Sequence, residues 1–283
     1  MDDSKLIGRP ENPLVFPVEF VFSVGGQTLV VATEPVQVVP GAPAAQQRRP
    51  LAAIPPVSLG FPYEVELFKP GATKPTIVEV TAARADSRGV VRLKVPTGWT
   101  VSPSAQPFAL AKPGDKTRVT FTVAAPAQGG SGTVAASAEI GGATYGTGRM
   151  VFSYAHLPVQ LLQSPARLKV VAVDYAIRGK TVGYLPGAGD STAENLEQLG
   201  YAVMVLTGAD LTPEKLKDLD AVVIGVRAFN ERKDLRANLP ALFAYVENGG
   251  TVIAQYNRPS GGLPPLAPFE LSIAGSAPPL RVT

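Results

Sequence analysis

The first residues whose types and spacing could do chemistry lie in VGYLPGAGDSTAENLEQLGY, from Val182 to Tyr201. Gly187, Gly189 and Asp190 stand between an apolar run and a helical pattern, where many proteins bind a nucleotide phosphate. The loop lacks the third glycine of G-x-G-x-x-G and the lysine of a Walker loop, and Asp190 puts a negative charge where a phosphate would sit. We therefore favour a structural turn, with Asp190 or Ser191 capping the helix, over a phosphate site.

A second set of polar residues follows two apolar runs further along the chain. Arg227 and Asn230 come after AVVIGV, and TVIAQYN ends in Gln255, Tyr256 and Asn257. If both runs are parallel strands, their carboxyl ends open onto one crevice, which they share with the glycine-bearing loop. The sequence predicts a candidate ligand-binding crevice there, and the alternative is that these polar side chains only solvate the starts of loops.

The charges of this predicted crevice leave two outcomes open. Arg227 is the only cation of the set and Asp190 the only anion. The two side chains either pair in a closed structural cluster, or stay apart and leave Arg227 for an anionic or sugar ligand. We favour a paired or solvated state without catalysis.

Catalytic chemistry has few candidates in this sequence. His156 is the only histidine and there is no cysteine, which excludes thiol nucleophiles and multi-histidine metal sites. A Ser-His-Asp triad through His156 lacks the G-x-S-x-G turn that would expose a serine. We therefore expect no metal and no cofactor, and a linker or packing role for His156.

Trp99, the only tryptophan, lies in VPTGWTVSPS at the end of an alternating run. It is either an exposed platform on which a sugar stacks or the aromatic centre of a β-sandwich core. No other aromatic residue stands beside it to complete a platform. We therefore expect Trp99 to be buried.

Strands and helices alternate after about residue 164 and would position the predicted crevice. LKVVAVDY, TVGYL, YAVMVL, AVVIGV and TVIAQY are apolar runs typical of parallel strands covered on both faces. Ser191 and Glu194 have capping-box spacing before the first helix. Thr212 precedes Pro213 at the start of the second, and Pro240 interrupts the third. The pattern predicts a doubly wound, mostly parallel, flavodoxin-like sheet.

The sequence before that point predicts an all-β part. TIVEVTAAR, GVVRLKVP and KTRVTFTVAAP alternate apolar with polar residues, and turns rich in proline and glycine separate them. We predict a multi-domain chain of β plus α/β class. Residues 1–56 are the tail of a preceding β-domain and a linker, with a hairpin across Gly25-Gly26; residues 57–156 are an immunoglobulin-like β-sandwich. Residues 157–283 are the flavodoxin-like domain, incomplete at its C-terminus, with FELSIAG as its last predicted strand.

Composition limits the classes of partner. The net charge is +3 and the basic residues are scattered, so we expect no nucleic-acid partner. The apolar runs are far shorter than the roughly 20 residues of a transmembrane helix, so we expect no membrane partner. The first residues lack the basic start and apolar stretch of a signal peptide, and the compartment stays open.

The strands and loops quoted above also resemble a known family. RLKVVAVDY, GYLPGAGDSTAENLEQLGY, LDAVVIGVRAFNERKDL and YVENGGTVIAQYN are similar to the C-terminal region of large bacterial PIG-L (LmbE-like) deacetylases. VRLKVPTGWTVSPSAQPFALAKPGDKTRVTFTV resembles the immunoglobulin-like module that those proteins carry between the enzyme and the C-terminal domain. The last part of the chain is also similar to class I glutamine amidotransferase-like domains.

This resemblance implies a non-catalytic accessory region, a scaffold or a carbohydrate-associated part of an N-acetyl-sugar deacetylase. Its implied partners are the missing N-terminal catalytic domain and carbohydrate, and its implied location is exported or periplasmic. The family's P-H-P-D-D-E zinc motif does not occur here, so no metal ligand carries over. By strand order, Gln255 or Tyr256 stands where the amidotransferase cysteine would be, and neither can form a thioester.

Two further functions stay open at this point. The α/β part could be a flavodoxin-like module that binds a cofactor or small ligand, which absorbance of the purified protein near flavin wavelengths would reveal. It could also be a cryptic hydrolase, whose turnover would depend on His156 and would disappear in His156→Ala.

Overall fold

The computed structural model describes residues 15–258 and 267–269. The described chain divides into two compact units between Val173 and Asp174. The described residues are rich in β-strands and contain one all-parallel sheet and a few short helices. Within the described ranges, no helix has the length and apolar character needed to cross a bilayer.

The described part of the first unit, from residue 15 onward, consists of strands and one 3₁₀ turn at Ala44–Gln46. Its strands are β1 (Val18–Val24), β2 (Gln27–Thr33), β3 (Val36–Val38), β4 (Arg48–Pro50), β5 (Val57–Gly60), β6 (Val65–Phe68), β7 (Thr73–Ala82), β8 (Ser87–Lys94), β9 (Thr100–Ser102), β10 (Gln106–Leu110), β11 (Lys116–Ala124), β12 (Gly130–Ile140), β13 (Ala143–Tyr145), β14 (Met150–Phe152), β15 (Gln160–Leu162) and β16 (Arg167–Ala172).

Two sheets of this unit form a sandwich around one core. One sheet has the order β10-β8-β12-β16-β6, with β13 paired to β12, and the other has the order β5-β7-β11-β9. In β11, Val119, Phe121 and Val123 are buried while Thr120 and Thr122 between them are exposed. This is the alternation expected when one face of a strand packs on a core. The half-buried strand pattern seen in the sequence is therefore confirmed for this strand.

Trp99 belongs to the sandwich core. It is 6% exposed, and its ring meets the Phe68 ring edge-on with 5.0 Å between centroids. Edge-to-face contact of this kind is a favoured arrangement of aromatic pairs. The expected burial of Trp99 is confirmed, and the exposed-platform alternative is wrong.

Short two-stranded sheets accompany the sandwich. β1 pairs with β2, β3 with β4, and β14 with β15. The hairpin predicted across Gly25-Gly26 is confirmed, and both glycines have left-handed backbone, with φ of 59° and 78°. A two-residue loop of this type requires positive φ at both positions, which glycine adopts without strain.

The run LKVVAVDY was expected to be the first strand of the parallel sheet, and this assignment is wrong. Its residues form β16, which pairs antiparallel with β12 and parallel with β6 in the sandwich. Leu168 and Val170 are buried, whereas Arg167 and Lys169 are exposed. This alternation is that of a strand with one covered face, and the parallel strands begin later. β15 pairs with β14, and β16 pairs with β12 and β6, so both strands belong to the first unit. Residues 157–173 were predicted to belong to the last domain.

The second unit contains one parallel sheet with connecting helices. Its elements are β17 (Thr181–Leu185), α1 (Thr192–Leu199), β18 (Ala202–Val205), a 3₁₀ turn (Gly208–Asp210), α2 (Pro213–Leu216), β19 (Ala221–Ile224), α3 (Ala228–Glu231), α4 (Lys233–Ala237), α5 (Leu239–Glu247) and β20 (Thr251–Ala254). The predicted strand FELSIAG lies outside the described residues apart from Phe269.

The sheet order is β18-β17-β19-β20, and all neighbouring strands are parallel. Helix α1 packs on one face through Ala193 and Leu196. The other helices pack on the opposite face, where Leu216, Phe229 and Leu242 are buried. Strand order reverses between β17 and β19, which makes the carboxyl ends of these two strands a switch point. Among the described strands of this sheet, β17 and β19 are mainly buried, whereas β18 and β20, at the two ends of the strand order, have mostly exposed residues.

Candidate functional site

The loop after β17 packs directly against the end of β19. Ala188 N donates to Val226 O at 2.7 Å, and a Cβ on Gly187 would lie 2.0 Å from the same oxygen. Gly189 has a left-handed φ of 92°. Gly187 is therefore required by the approach of two backbone segments within the protein, which agrees with the structural interpretation of this loop.

Asp190 closes this loop with its carboxylate. It accepts hydrogen bonds from Tyr184 Oη at 2.6 Å, Thr192 N at 2.9 Å and Val226 N at 3.3 Å. Partial burial opposes ionisation, but these hydrogen bonds outweigh it and hold the pKa of Asp190 below its usual value. The backbone N–H groups that could bind a phosphate here bind this carboxylate instead.

The start of α1 is capped differently from the capping box predicted for Ser191 and Glu194. The Ser191 side chain makes no capping hydrogen bond, and the Thr192 N–H is satisfied by Asp190. Asp190, the other capping candidate, accepts this N–H, and the Tyr184 hydroxyl also donates to its carboxylate. The later helix signals are confirmed: Thr212 Oγ1 accepts from Lys215 N at the start of α2, and Pro240 lies in the first turn of α5.

Tyr184 is a site residue that the sequence did not identify. It lies within the apolar strand β17, and its ring is buried against α1. Burial, followed by its hydrogen bond to Asp190, raises the pKa of Tyr184, so its hydroxyl stays protonated and donates. A tyrosine inside an apolar run gives no sequence signal for this role.

Arg227 follows β19 in an uncommon conformation. Its backbone is left-handed, with φ of 60° and ψ of 16°, and its N–H donates to Tyr256 O at 2.7 Å. Its guanidinium pairs with Glu231, one helical turn later, and not with Asp190. Both Arg227 and Asp190 therefore have other partners, and the pairing between them that we considered does not form. The i,i+4 spacing of Arg227 and Glu231 is the sequence signal from which this ion pair could have been predicted.

A sharp strand-to-helix turn lies at Arg227, between β19 and α3. The resemblance to amidotransferase-like domains implies a corresponding turn after β20, at Gln255 or Tyr256, and this assignment stays a prediction. Among the described residues, only Asp86 and Arg227 combine a side chain with a positive φ. The turn therefore presents a guanidinium, which is a cation and not a nucleophile.

Gln255 connects the end of β20 to the start of α1. Its backbone N–H donates to Ile224 O at 3.0 Å, and its Nε2 donates to Thr192 Oγ1 at 2.9 Å. The Thr192 hydroxyl in turn bonds the Asp190 side chain. Because that hydroxyl donates its only proton to Asp190, it can only accept from Gln255, which fixes the orientation of the Gln255 amide.

Asn257 and Asn230 complete the cluster. Asn257 is buried, accepts from Phe229 N at 3.1 Å and donates to Gln255 O at 2.8 Å. Asn230 and Arg258 exchange two hydrogen bonds, from Asn230 Nδ2 to Arg258 O and from Arg258 N to Asn230 Oδ1. These amides hold the two strand ends together.

The structure thus brings the predicted residues to one edge of the sheet. Hydrogen bonds connect the loop after β17 to β19, β19 to β20, and β20 to α1. Tyr256 differs from the others, because its side chain is largely exposed while its carbonyl binds Arg227. Two polar atoms of the cluster, Arg227 Nε and Gln255 Oε1, are buried and have no hydrogen-bond partner among the described residues.

The hydrogen-bonding groups at this edge mostly bind one another and hold the strand ends in position. In the part of the chain that the structure describes, no group of three or more histidine, cysteine, aspartate or glutamate side chains could hold a metal ion. His156 is exposed in the loop after β14, with its ring 6.0 Å from that of Tyr154. It belongs to the first unit and lies apart in sequence from every residue of this cluster.

Comparisons with known proteins add little to this geometry. No protein-family model and no curated protein matches the sequence. One solved structure that matches is Paenibacillus sp. cycloisomaltooligosaccharide glucanotransferase complexed with cycloisomaltoheptaose, with 13% identity and a TM-score of 0.27. The match covers 70% of this chain and 27% of that enzyme. A likeness of this size carries no argument about fold or function, and the resemblance to PIG-L deacetylases stays a prediction.

Proposed function

We propose that the chain is a non-catalytic accessory region of a PIG-L family N-acetyl-sugar deacetylase, serving as a scaffold or in association with carbohydrate. In this proposal the catalytic domain lies outside these 283 residues. The immunoglobulin-like sandwich and the flavodoxin-like, amidotransferase-like sheet are its two parts. The family assignment rests on the sequence resemblance alone.

The observation that carries the proposal is the position of the Asp190 carboxylate. It binds the N–H groups of Thr192 and Val226 that a phosphate would otherwise use. The neighbouring amides of Asn230 and Asn257 are likewise bonded to protein backbone. A cluster whose polar groups bind one another supports a structural role for this edge of the sheet.

Acetate release tests the non-catalytic part of the proposal. The purified chain, supplied with zinc and an N-acetylglucosamine derivative, is expected to release no acetate and to retain no stoichiometric zinc after dialysis. The reason is that one histidine and no cysteine leave few zinc ligands. Zinc-dependent release of acetate, or one tightly bound zinc per chain, would overturn it.

Retention on a glycan distinguishes the two versions of the proposal, a scaffold and a carbohydrate-associated region. Native electrophoresis through a gel containing glycol chitin retards a carbohydrate-associated protein and leaves a pure scaffold unaffected. Retardation that disappears with free N-acetylglucosamine supports the carbohydrate form.

A second candidate function, small-ligand binding at the strand ends, is favoured by the two unpartnered atoms. Arg227 Nε is a donor and Gln255 Oε1 an acceptor, and both are buried. Buried polar atoms without partners are rare and costly in native proteins. A hydroxyl group both donates and accepts, so a sugar offers the hydrogen-bonding chemistry that each of these two atoms lacks.

Thermal stabilisation by N-acetylglucosamine tests this second candidate. Binding predicts a rise in melting temperature that Arg227→Ala and Gln255→Ala abolish. Arg236→Ala is the matched control, because Arg236 is an exposed arginine on α4 in the same unit. No stabilisation of the unmodified chain, or equal loss in the control, would exclude the candidate.

A further inference from the structure

The hairpin β1-β2 presents an unusually open apolar surface. Among the described residues its strands pair only with each other, and every residue of β1 is exposed. In the antiparallel register, directly opposed residues share a face. One face is apolar almost throughout, with side chains 38% to 67% exposed: Val18, Phe20, Phe22, Val24, Leu29 and Val31.

A two-stranded hairpin gains stability when a further strand pairs with it. Two strands alone are marginally stable in water. An unpaired strand edge adds a row of backbone donors and acceptors that can extend the sheet.

The turn determines which backbone groups point outward from β1. Val24 and Gln27 flank the two-residue loop, so they form a hydrogen-bonded pair. Pairs alternate between hydrogen-bonded and non-hydrogen-bonded along an antiparallel ladder. The N–H and C=O groups of Glu19, Val21 and Ser23 therefore face away from β2, toward the edge of β1 that pairs with no described strand.

The sequence of β1, VEFVFSV, is nearly symmetric about Val21. We infer that β1 pairs antiparallel with β1 of a second copy of this chain, with a two-fold axis at Val21. The two Val21 residues then exchange their N–H and C=O groups, and Glu19 pairs with the partner's Ser23. The two hairpins become one four-stranded sheet with a continuous apolar face.

The side chains on that face fit this pairing. Phe20 lies opposite the partner's Phe22, and Val18 opposite the partner's Val24, so both Phe pairs are cross-strand aromatic contacts. Glu19 is the only charge on β1 and meets a serine, so no like charges face each other. The free edge of β2 would bring Leu29 opposite Val31 without any aromatic pair. The β1 edge is therefore the better one for self-association.

The expected dimer is weak. A seven-residue strand is about 23 Å long, and its pairing buries on the order of a few hundred Å² per copy. Standard stable interfaces bury roughly 800 Å² per partner. We therefore expect association that increases with protein concentration and reverses on dilution.

Sedimentation velocity of the full chain, from low micromolar to several hundred micromolar, tests the pairing. Val21→Pro removes the outward N–H at the two-fold axis without touching the hydrogen bonds of the hairpin itself. We expect it to weaken dimerisation at least about tenfold, since both central bonds are lost. Val30→Pro is the matched control, because Val30 lies opposite Val21 and its N–H faces the other edge.

Cross-linking gives an independent readout, because the chain has no cysteine. The two Val21 Cα atoms would be about 5.5 Å apart in the dimer, within the range that a disulfide spans. Oxidised Val21→Cys should give a covalent dimer, and Val30→Cys should not. A monomer at all concentrations without Val21→Cys cross-linking would overturn the inference, as would equal effects at both positions.

Discussion

At the residue scale, Asp190 connects three elements of the α/β unit through one carboxylate. It binds the Tyr184 hydroxyl on β17, the Thr192 N–H at the start of α1 and the Val226 N–H after β19. Its lowered pKa keeps it charged at neutral pH, and hydrogen bonds to charged acceptors are stronger than those between neutral groups. The residue that makes a phosphate site implausible is therefore the one that holds the loop in place.

Asp190→Asn is expected to lower the free energy of unfolding by about 1.5–3 kcal/mol at neutral pH. The folded pKa of Asp190 lies below its unfolded value of 3.8, so its contribution is present above that pH. It is lost as the pH falls through the folded pKa. Urea denaturation should show a clear difference from the unmodified chain at neutral pH and a smaller one in strong acid.

Asp218→Asn is the control for this prediction. Asp218 is an exposed carboxylate in the same unit, so its replacement should change stability by less than about 0.5 kcal/mol. Equal losses in the two variants would show that Asp190 has no special role.

Arg227 allows a test of backbone strain. A side chain in the left-handed region costs roughly 1–2 kcal/mol, which glycine avoids. Arg227→Gly and Arg227→Ala both lose the Glu231 pair, but only the glycine variant relieves the strain. Chemical denaturation should therefore find the glycine variant more stable than the alanine variant by about 1 kcal/mol. At Ala228, inside α3, glycine should instead be less stable than alanine. If glycine were the more stable residue at both positions, or the less stable residue at both, the strain argument would be wrong.

At the scale of elements, periodicity predicted strands well where one face is covered. The error at β16 arose because Leu168 and Val170 were assigned to a continuous apolar run, although the exposed Lys169 separates them. The meeting of strand ends was predictable, because topology alone brings them to one edge. The contacts were not, since they depend on backbone N–H groups and on the left-handed residue at Arg227.

The loop after β17 contains two glycines, Gly187 and Gly189, and a different physical reason favours glycine at each position. Gly187→Ala puts a Cβ 2.0 Å from Val226 O, a backbone atom already bonded to Ala188 N. We expect a loss of about 3 kcal/mol, because the strands must separate to make room. Gly189→Ala meets no atom and costs only the strain of its φ of 92°, about 1 kcal/mol. Urea denaturation of both variants measures the difference, and equal losses would mean that the close approach is not rigid.

At the scale of the whole molecule, the two units carry different spectroscopic signals. Trp99, the only tryptophan, is buried in the sandwich core of the first unit. The described α-helices, α1 to α5, all lie in the second unit. Tryptophan fluorescence therefore reports the sandwich, and the helical circular dichroism signal reports the α/β unit.

We expect these two signals to respond separately to mutation. Each unit has its own buried core, and a domain with its own core can unfold as a separate cooperative step. Gly187→Ala acts only on the α/β core, so it should lower the midpoint of the helical signal and leave the fluorescence midpoint unchanged. Phe121→Leu, in the sandwich core, is the reciprocal variant and should shift only the fluorescence transition. If each variant shifted both transitions equally, the two units would unfold as one cooperative structure.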